Sequence, residues 1–332
     1  MTLHLTPIPT TELADFRFGH WTDRTGATGC TVVVAPAGAA AGVDVRGGAP
    51  ASRETDLLRP ENTVDAVHAV CLSGGSAFGL EAASGVAREL EARGIGLDVG
   101  PAVVPIVCSS CLFDLAFGDA HARPGVDAGI AATRAALDDE PAPLAEGTVG
   151  AGTGATVGKL NGAECAMKGG LGARALALGG LKVAALSAVN ACGNVVDPKT
   201  GAPIAGMRAD AGSADIVSME DAMIAAADTM AMPLDRTNTT ISCIVTNARL
   251  TKAQCTKVAQ MAADAYAHTI RPTHTTNDGD TIYVMASGTA KEDYPLDLIG
   301  LVATRALEDA ICGGCRAADG ILGLPAYTDL AR

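Results

Sequence analysis

The sequence predicts a layered α/β sandwich that folds as a single domain over residues 1–332. Strand-like and helix-like segments follow one another without the strict alternation of a doubly wound nucleotide-binding fold. Hydrophobic residues make up 48% of the chain but aromatic residues only 3%, and 39 residues are glycine. This composition requires a core of small aliphatic side chains, closely spaced layers and many tight turns.

Strands and glycine turns predominate at the start of the chain. The β-branched run at residues 30–34 predicts a strand, and residues 43–48 predict a shorter one. Residues 72–96 pass from a glycine loop into a helix of about fifteen to twenty residues, which Gly94 would end. The apolar segment 101–107 predicts a further short strand.

The middle of the chain combines glycine-rich loops with one clear strand. A charged, proline-containing loop is expected at residues 137–147, and the glycine-rich segment 147–162 follows it. Residues 183–189 predict a strand that ends at the turn former Asn190. Residues 218–232 predict a helix, because a serine opens the segment and acidic residues occupy its first turn.

The last part of the chain is expected to contain two strands and two helices. Residues 241–246 are rich in β-branched residues and predict a buried strand. A capping-box pattern opens the helical segment 251–268. Residues 278–288 predict a turn followed by a strand, and residues 296–311 predict the last helix.

Charge and leader patterns exclude several classes of protein. The formal net charge of -13 argues against a nucleic-acid-binding protein, which needs a basic face. The first residues lack a charged and then apolar signal pattern, and no apolar run predicts a transmembrane helix. The ten cysteines are therefore expected to be reduced core residues, and the expected location is the cytoplasm, with no membrane partner.

Known phosphate, cofactor and metal motifs fit poorly. A phosphate loop ending at Lys159 would need glycine at Thr153 and a hydroxyl residue at Leu160. A dinucleotide loop beginning at Gly150 stays possible from the letters alone, although no clear strand precedes it. The two CxxC pairs, at residues 108–111 and 312–315, lack further ligands nearby, so neither a metal nor a cofactor is expected.

Five small polar residues on loops and strand ends are the remaining candidates: Lys159, Asn190, Thr239, Asp278 and Asp280. Each has an ordinary explanation when taken singly. The lysine could be a solvated turn residue, the asparagine a turn former, and the two aspartates part of a hairpin turn of the Asp-Gly kind. The threonine could be an ordinary strand residue.

Five ordered segments together resemble the DmpA-type L-aminopeptidase/D-esterase family, which includes β-peptidyl aminopeptidases and the nylon-oligomer endohydrolase. The resemblance extends from about residue 26 to residue 322. It is carried by the segments CLSGGSAFGLEAASGV, GAGTGATVGK, VNACGNVVDP, NTTISCIVTNARLTKAQ and IRPTHTTNDGDTIYVMASG. It implies a four-layer αββα sandwich similar to N-terminal-nucleophile (Ntn) hydrolases.

The resemblance also implies one self-cleavage. Members of this family are made as an inactive chain that cuts itself before a serine or threonine. The matching bond joins Asn238 to Thr239, which implies an α subunit of residues 1–238 and a β subunit of residues 239–332. The new terminus would supply its own amine, with a pKa near 8, to activate the threonine hydroxyl.

The other candidates match family positions in the same way. The resemblance implies that Asn190 supports the oxyanion, that Lys159 favours deprotonation of the hydroxyl, and that Asp278 and Asp280 orient the new ammonium and the substrate amine. Phe113 stands where the nylon-oligomer branch has a tyrosine, so this chain would lack that hydroxyl in its substrate site.

The leading hypothesis is therefore a self-processing amide hydrolase for small peptides, amino-acid amides or oligoamides. The resemblance implies assembly of αβ units, into a tetramer, and no cofactor or metal. Thr240 is an alternative nucleophile because it adjoins Thr239. Two other hypotheses stay open from the sequence: a non-processing binding or scaffold protein, and a dinucleotide-dependent enzyme that uses the Gly150 loop.

Overall fold

The computed structural model describes residues 4–227 and 238–330. The strands are β1 (Thr6–Ile8), β2 (Arg17–Asp23), β3 (Thr28–Val45), β4 (Ala51–Arg53), β5 (Val67–Ser73), β6 (Leu97–Asp98), β7 (Val103–Val104), β8 (Val107–Cys111), β9 (Thr156–Val157), β10 (Met167–Lys168), β11 (Gly170–Leu178), β12 (Leu181–Asn190), β13 (Asn194–Val196), β14 (Pro203–Ala205), β15 (Thr239–Thr246), β16 (Ile270–Arg271) and β17 (Thr281–Ala286). The helices are α1 (Ala82–Ala92), α2 (Val126–Asp138), α3 (Met219–Ala226), α4 (Lys252–Ala262), α5 (Asp264–Thr269), α6 (Leu296–Arg316) and α7 (Tyr327–Leu330).

One hydrogen-bonded path joins the main strands in the order β1-β11-β12-β15-β17-β3-β5-β8-β4, and β2 also pairs with β3. The long strand β3 belongs to two sheets. Its second half pairs with β17, and its first half pairs with β2 and β5. We call β1, β11, β12, β15, β17 and the end of β3 the first sheet, and the other strands of the path, with β2, the second sheet.

Three separate hydrophobic cores lie between four layers. The first sheet packs on α4, α5 and α6 through residues such as Ile244 and Leu307. The two sheets pack on each other through residues such as Leu72 and Leu186. The second sheet packs on α1 and α2 through residues such as Val86. The αββα sandwich that the sequence predicts is confirmed.

Small residues allow these layers to approach closely. A Cβ atom on Gly172 of β11 would lie 1.9 Å from the carbonyl oxygen of Ala310 in α6, so only glycine fits there. Gly314, near the end of α6, contacts the same strand. The helix therefore continues through its glycines to Arg316, beyond the end predicted at residue 311.

Most predicted elements are confirmed, and several have different bounds. A short 3-10 turn, Ser76–Glu81, leads into α1, which ends before Gly94 with its φ of 68°. The predicted helix at 251–268 begins with the expected capping box but consists of two segments, α4 and α5. The helix predicted at 218–232 is α3, and the rest of that prediction lies outside the described residues.

Three predicted strands are present with different bounds, and one helix was not predicted. The segments 30–34 and 43–48 belong to one 18-residue strand, which shifts register between Val34 and Ala39 and so passes from one sheet to the other. The strand predicted at 101–107 is divided in two: β7 covers Val103–Val104, and β8 begins at Val107, after Pro105, which cannot donate a ladder hydrogen bond. Helix α2 is rich in alanine, so its apolar stripe is weak in the sequence.

No helix among residues 4–227 and 238–330 is both long and apolar enough to span a membrane.

A buried lysine fixes the glycine-rich loop that leads towards Lys159. The side chain of Lys168 is fully buried, and its Nζ donates to the carbonyl oxygens of Thr153 at 2.9 Å and Ala155 at 2.5 Å. The carbonyl oxygen of Gly152 lies 3.4 Å from the same nitrogen. Burial lowers the pKa of Lys168 to about 7. One side chain therefore satisfies several main-chain acceptors that would otherwise be buried without a donor.

Replacement of Lys168 should destabilise the fold. In Lys168→Met the loop carbonyls lose their donor, and we expect the free energy of unfolding to fall by about 2–4 kcal/mol. Urea denaturation followed by circular dichroism measures this change. Lys257→Met, at an exposed position of α4, is the matched control and should change stability by less than about 0.5 kcal/mol. Equal stability of the two variants would contradict the anchoring role of Lys168.

Candidate active site

Thr239 and Asn190 face each other across two neighbouring strands of the first sheet. Thr239 begins β15, Asn190 ends β12, and the antiparallel register pairs them directly. Both residues are buried. Because side chains alternate along a strand, Thr239 shares the face of Ile241 and Cys243, which belong to the core between the two sheets. Thr240 therefore points to the opposite, helix-covered face.

The hydroxyl of Thr239 is held by two main-chain groups. It donates a hydrogen bond to the carbonyl oxygen of Asn238 and accepts one from the N–H of Gly279 at 3.2 Å. A Cβ atom at position 279 would lie 2.8 Å from this hydroxyl, so glycine leaves the space that the contact needs. The hydroxyl is thus fixed against the peptide group that precedes it.

The side chain of Asn190 is fixed in one orientation. Its Nδ2 donates to the carbonyl oxygen of Phe113 at 2.9 Å, and its Oδ1 accepts from the N–H of Thr156 at 3.0 Å. The Nζ of Lys159 donates to the same Oδ1 at 2.8 Å. These partners place an amide with known donor and acceptor ends beside the nucleophile candidate.

Lys159 is a partly buried amine beside this pair. Its Nζ also lies 3.3 Å from the main-chain oxygen of Asn190. Desolvation lowers the pKa of Lys159 to about 7, although Cys192, Asp278 and Asp114 act in the opposite direction. A large fraction of this amine is therefore neutral between pH 7 and 8 and able to accept a proton.

The two aspartates lie on the loop that enters β17. Asp280 Oδ1 accepts from the N–H of Thr240 at 2.8 Å, and Asp278 Oδ2 accepts from the N–H of Thr275 at 2.6 Å. Burial, and then the nearby charge of Asp280, raise the pKa of Asp278 to about 6. Since β17 runs parallel to β15 beside it, residues 278–280 are not the tight hairpin turn considered from the sequence.

A small cavity adjoins these residues. Its volume is about 80 Å³, and Phe113, Phe117, Thr156 and Lys159 line it. Through the bond to Asn190, the main chain of Phe113 is part of the same cluster. The structure thus brings all six residues singled out from the sequence to one end of the first sheet.

Sequence patterns did not reveal three other polar residues near this site: Asp114, Lys168 and His274. Asp114 is buried in the wall of the cavity and accepts hydrogen bonds from the Thr28 hydroxyl at 2.7 Å and the Gly75 N–H at 2.6 Å. Burial raises the pKa of its carboxyl group. The partners of Asp114 lie 86 and 39 residues away in the sequence, so no local motif marks it. Lys168 and His274 have nearer partners, but their contacts depend on how the loops fold and match no known motif.

The Gly150 loop does not support the dinucleotide hypothesis. Residues 150–155 are buried between the layers. The N–H of Gly150 donates to the Thr22 hydroxyl at 2.9 Å, and the N–H of Ala151 donates to the Thr31 hydroxyl at 3.1 Å. The backbone donors that would bind a pyrophosphate in such a loop already have protein partners.

The CxxC pairs are not arranged as metal ligands. In the part of the chain that the structure describes, no group of three histidine, cysteine or acidic side chains is placed to bind a metal ion. Cys108 lies in β8 and Cys315 in α6, and burial raises the pKa of each thiol to about 12. Protonated, buried thiols are weak ligands and weak nucleophiles.

Known proteins resemble this chain over most of its length. The sequence pattern of peptidase family S58 matches residues 10–327. An "uncharacterized aminopeptidase" of Mycobacterium leprae is 42% identical over 319 residues, which cover 91% of this chain and 86% of that protein. A 6-aminohexanoate-oligomer endohydrolase of Paenarthrobacter ureafaciens is 31% identical over 262 residues, which cover 79% of this chain and 70% of that protein.

A solved structure shares the fold. The L-aminopeptidase D-Ala-esterase/amidase of Ochrobactrum anthropi, described as a variant of the Ntn hydrolase fold, superposes with a TM-score of 0.68 at 18% identity. The superposition covers 99% of this chain and 94% of that one. The chain therefore belongs to peptidase family S58 and is a hydrolase of peptide or amide bonds.

Proposed function

We propose that this chain cuts itself between Asn238 and Thr239 and then hydrolyses amide bonds with Thr239 as its N-terminal nucleophile. The observation that carries the proposal is the hydroxyl of Thr239, which is held against the Asn238 carbonyl group directly opposite Asn190. The proposed products are an α subunit of residues 1–238 and a β subunit of residues 239–332.

The self-cleavage would begin with attack of Thr239 Oγ1 on the carbonyl carbon of Asn238. The hydroxyl proton passes to a base, for which we propose the neutral amine of Lys159. Collapse of the tetrahedral intermediate breaks the C–N bond, and the nitrogen of Thr239 takes up a proton and becomes a free amine. Water then hydrolyses the resulting ester, which releases the carboxylate of Asn238 and regenerates the hydroxyl.

The new amine would serve as the base in later turnovers. With a pKa near 8 it is partly neutral at physiological pH and belongs to the same residue as the nucleophile. The N–H of Gly279 and the amide of Asn190 are the donors proposed to stabilise the oxyanions of both reactions. The carboxylates of Asp278 and Asp280 would hold the amine of Thr239 and the free amino end of the substrate.

The proposed substrates are small peptides, amino-acid amides and nylon-type oligoamides with a free amino end. The names of the relatives support this class, since they are an aminopeptidase and an oligomer endohydrolase. The cavity beside Phe113 and Lys159 offers a mainly apolar wall for one residue of the substrate. Cleavage assays with amino-acid p-nitroanilides, β-peptides and aminohexanoate oligomers distinguish these substrates. The cytoplasmic location stays a prediction.

Two adjacent threonines provide a matched test of the nucleophile. We expect Thr239→Val to stay one band on a denaturing gel, because it lacks the attacking hydroxyl, while Thr239→Ser still gives two fragments. Thr240→Val, which changes the opposite face of the strand, should cleave like the wild type. N-terminal sequencing of the smaller fragment should begin at position 239. Cleavage in Thr239→Val, or a wild-type chain that stays intact on long incubation, would refute the proposal.

The pH dependence of self-cleavage tests the role of Lys159. The first-order rate for freshly translated precursor should rise through pH 7 and then level off, because only the neutral amine accepts the proton. In Lys159→Met, the rate should fall about 100-fold and should no longer rise through pH 7. Lys199→Met, at an exposed turn, is the control. If the rate of Lys159→Met still rises with pH near pH 7, another group accepts the proton.

We also propose that the αβ units assemble into a tetramer. The hairpin of β6 and β7 supports this proposal, because Leu97, Val99 and Val104 are exposed apolar side chains on it. Light scattering after size exclusion should give four times the mass of one chain for the wild type. Val99→Asp should reduce that mass, because it places a charge in the proposed contact, whereas the exposed-turn variant Lys199→Met should leave the mass unchanged. A wild-type monomer would contradict the assembly.

A further inference from the structure

Strand β12 pairs with the start of β15, but on the β17 side the start of β15 is fixed by side chains. The parallel pairing of β15 with β17 begins only at Ile241. One residue earlier, the N–H of Thr240 donates to Asp280 Oδ1 at 2.8 Å, so a carboxylate takes the place of a main-chain acceptor. The hydroxyl of Tyr266 donates to the carbonyl oxygen of Thr240 at 3.1 Å.

His274 connects these two side chains. Its Nδ1 lies 2.9 Å from Asp280 Oδ2, and its ring stacks on the ring of Tyr266 with centroids 5.4 Å apart and planes inclined by 20°. The main-chain N–H of His274 and the hydroxyl of Thr273 also donate to Asp280 Oδ2, at 3.1 and 3.2 Å. His274 has a φ of 56°, an uncommon conformation for a residue with a side chain. Local contacts must therefore hold it there.

The hydrogen bonds fix the tautomer of this histidine. An ionised carboxylate only accepts hydrogen bonds, so the Nδ1 of His274 must carry the proton that points to Asp280. The Nε2 is buried and has no hydrogen-bond partner among the described residues. With the proton on Nδ1, the Nε2 of a neutral ring carries a lone pair and no hydrogen. A buried acceptor without a partner costs less than a buried N–H without one.

The hydrogen bonds also divide the two carboxylates into unequal members. Asp280 receives donors from three residues, Thr240, Thr273 and His274, whereas Asp278 receives its donors from Thr275 alone among the described residues. Donors favour the ionised form of a carboxylate. When two buried carboxylates share a site, the proton therefore stays on the less supported one. The raised pKa of Asp278, about 6, agrees with this division.

We propose that His274 is a positioning residue for the hydrolase: through Nδ1–H it orients the carboxylate of Asp280, and thereby fixes Thr240 and the preceding Thr239. This inference rests on the proposed function of Thr239. Among residues 4–227 and 238–330, the titratable groups in contact with His274 are Asp280 and Tyr266, and Asp278 lies beside Asp280. Loss of the imidazole would remove a donor from Asp280 and loosen the start of β15.

Two near-isosteric variants test this role in the full-length precursor. The side-chain nitrogen of asparagine falls near the position of Nδ1, and that of glutamine falls near Nε2. We expect His274→Asn to cleave itself within about threefold of the wild-type rate, and His274→Gln to be at least ten times slower, because only asparagine restores a donor to Asp280.

The rates of these two variants decide whether His274 positions Asp280. Equal rates in the asparagine and glutamine variants overturn the positioning role, even if His274→Ala fails to fold. His268→Asn, at an exposed histidine of α5, is the control and should behave like the wild type. Failure of the proposed function is recognised separately, since Thr239→Val would then cleave or the wild type would not. The kcat and KM of the processed enzyme with an amino-acid p-nitroanilide complete the test, and the loss should appear in kcat.

Discussion

The antiparallel pairing of β12 with β15 is the constraint on which the rest of the site depends. It places the last residue of one strand, Asn190, opposite the first residue of the other, Thr239. A shift by one residue would turn Thr239 to the helix-covered face and bring Thr240 to the core between the sheets. The register is protected from such a shift, because Ile241 and Cys243 are buried on one face and Ile244 on the other.

Burial gives the polar groups around this pair their chemical properties. Desolvation lowers the pKa of Lys159 to about 7 and raises that of Asp278 to about 6, so both pKa values come close to physiological pH. Neither group would exchange protons readily at physiological pH if it were exposed. Burying a charged group without hydrogen-bond partners is costly. The fold supplies such partners to Lys168, since main-chain oxygens of the glycine loop accept hydrogen bonds from its amine.

Local sequence patterns predicted the elements, and the resemblance to a family predicted the site. The β-branched run and the capping box were enough to place β15 and α4, because propensity and capping act within a few residues. They gave no reason to pair Thr239 with Asn190. Only the five ordered segments of the family brought these residues together before the structure did.

The residues that were missed depend on burial and on contacts that no sequence motif encodes. Lys168 and His274 are ordinary letters in the sequence, and their importance comes from burial and from partners that the fold brings to them. The bounds of the strand predicted at 101–107 differ for another reason. Pro105 interrupts the hydrogen-bond ladder, so the segment contributes the short β7 and the first residue of β8 instead of one strand.

The position of β15 inside the first sheet has a consequence for the proposed cut. This strand lies between β12, from the segment before the cut, and β17, from the segment after it. Residues of both segments also share two of the three hydrophobic cores. Breaking the bond would therefore change the connectivity of the chain without freeing either piece. The two products would form one folding unit, which is lost as a whole when the sheet unravels.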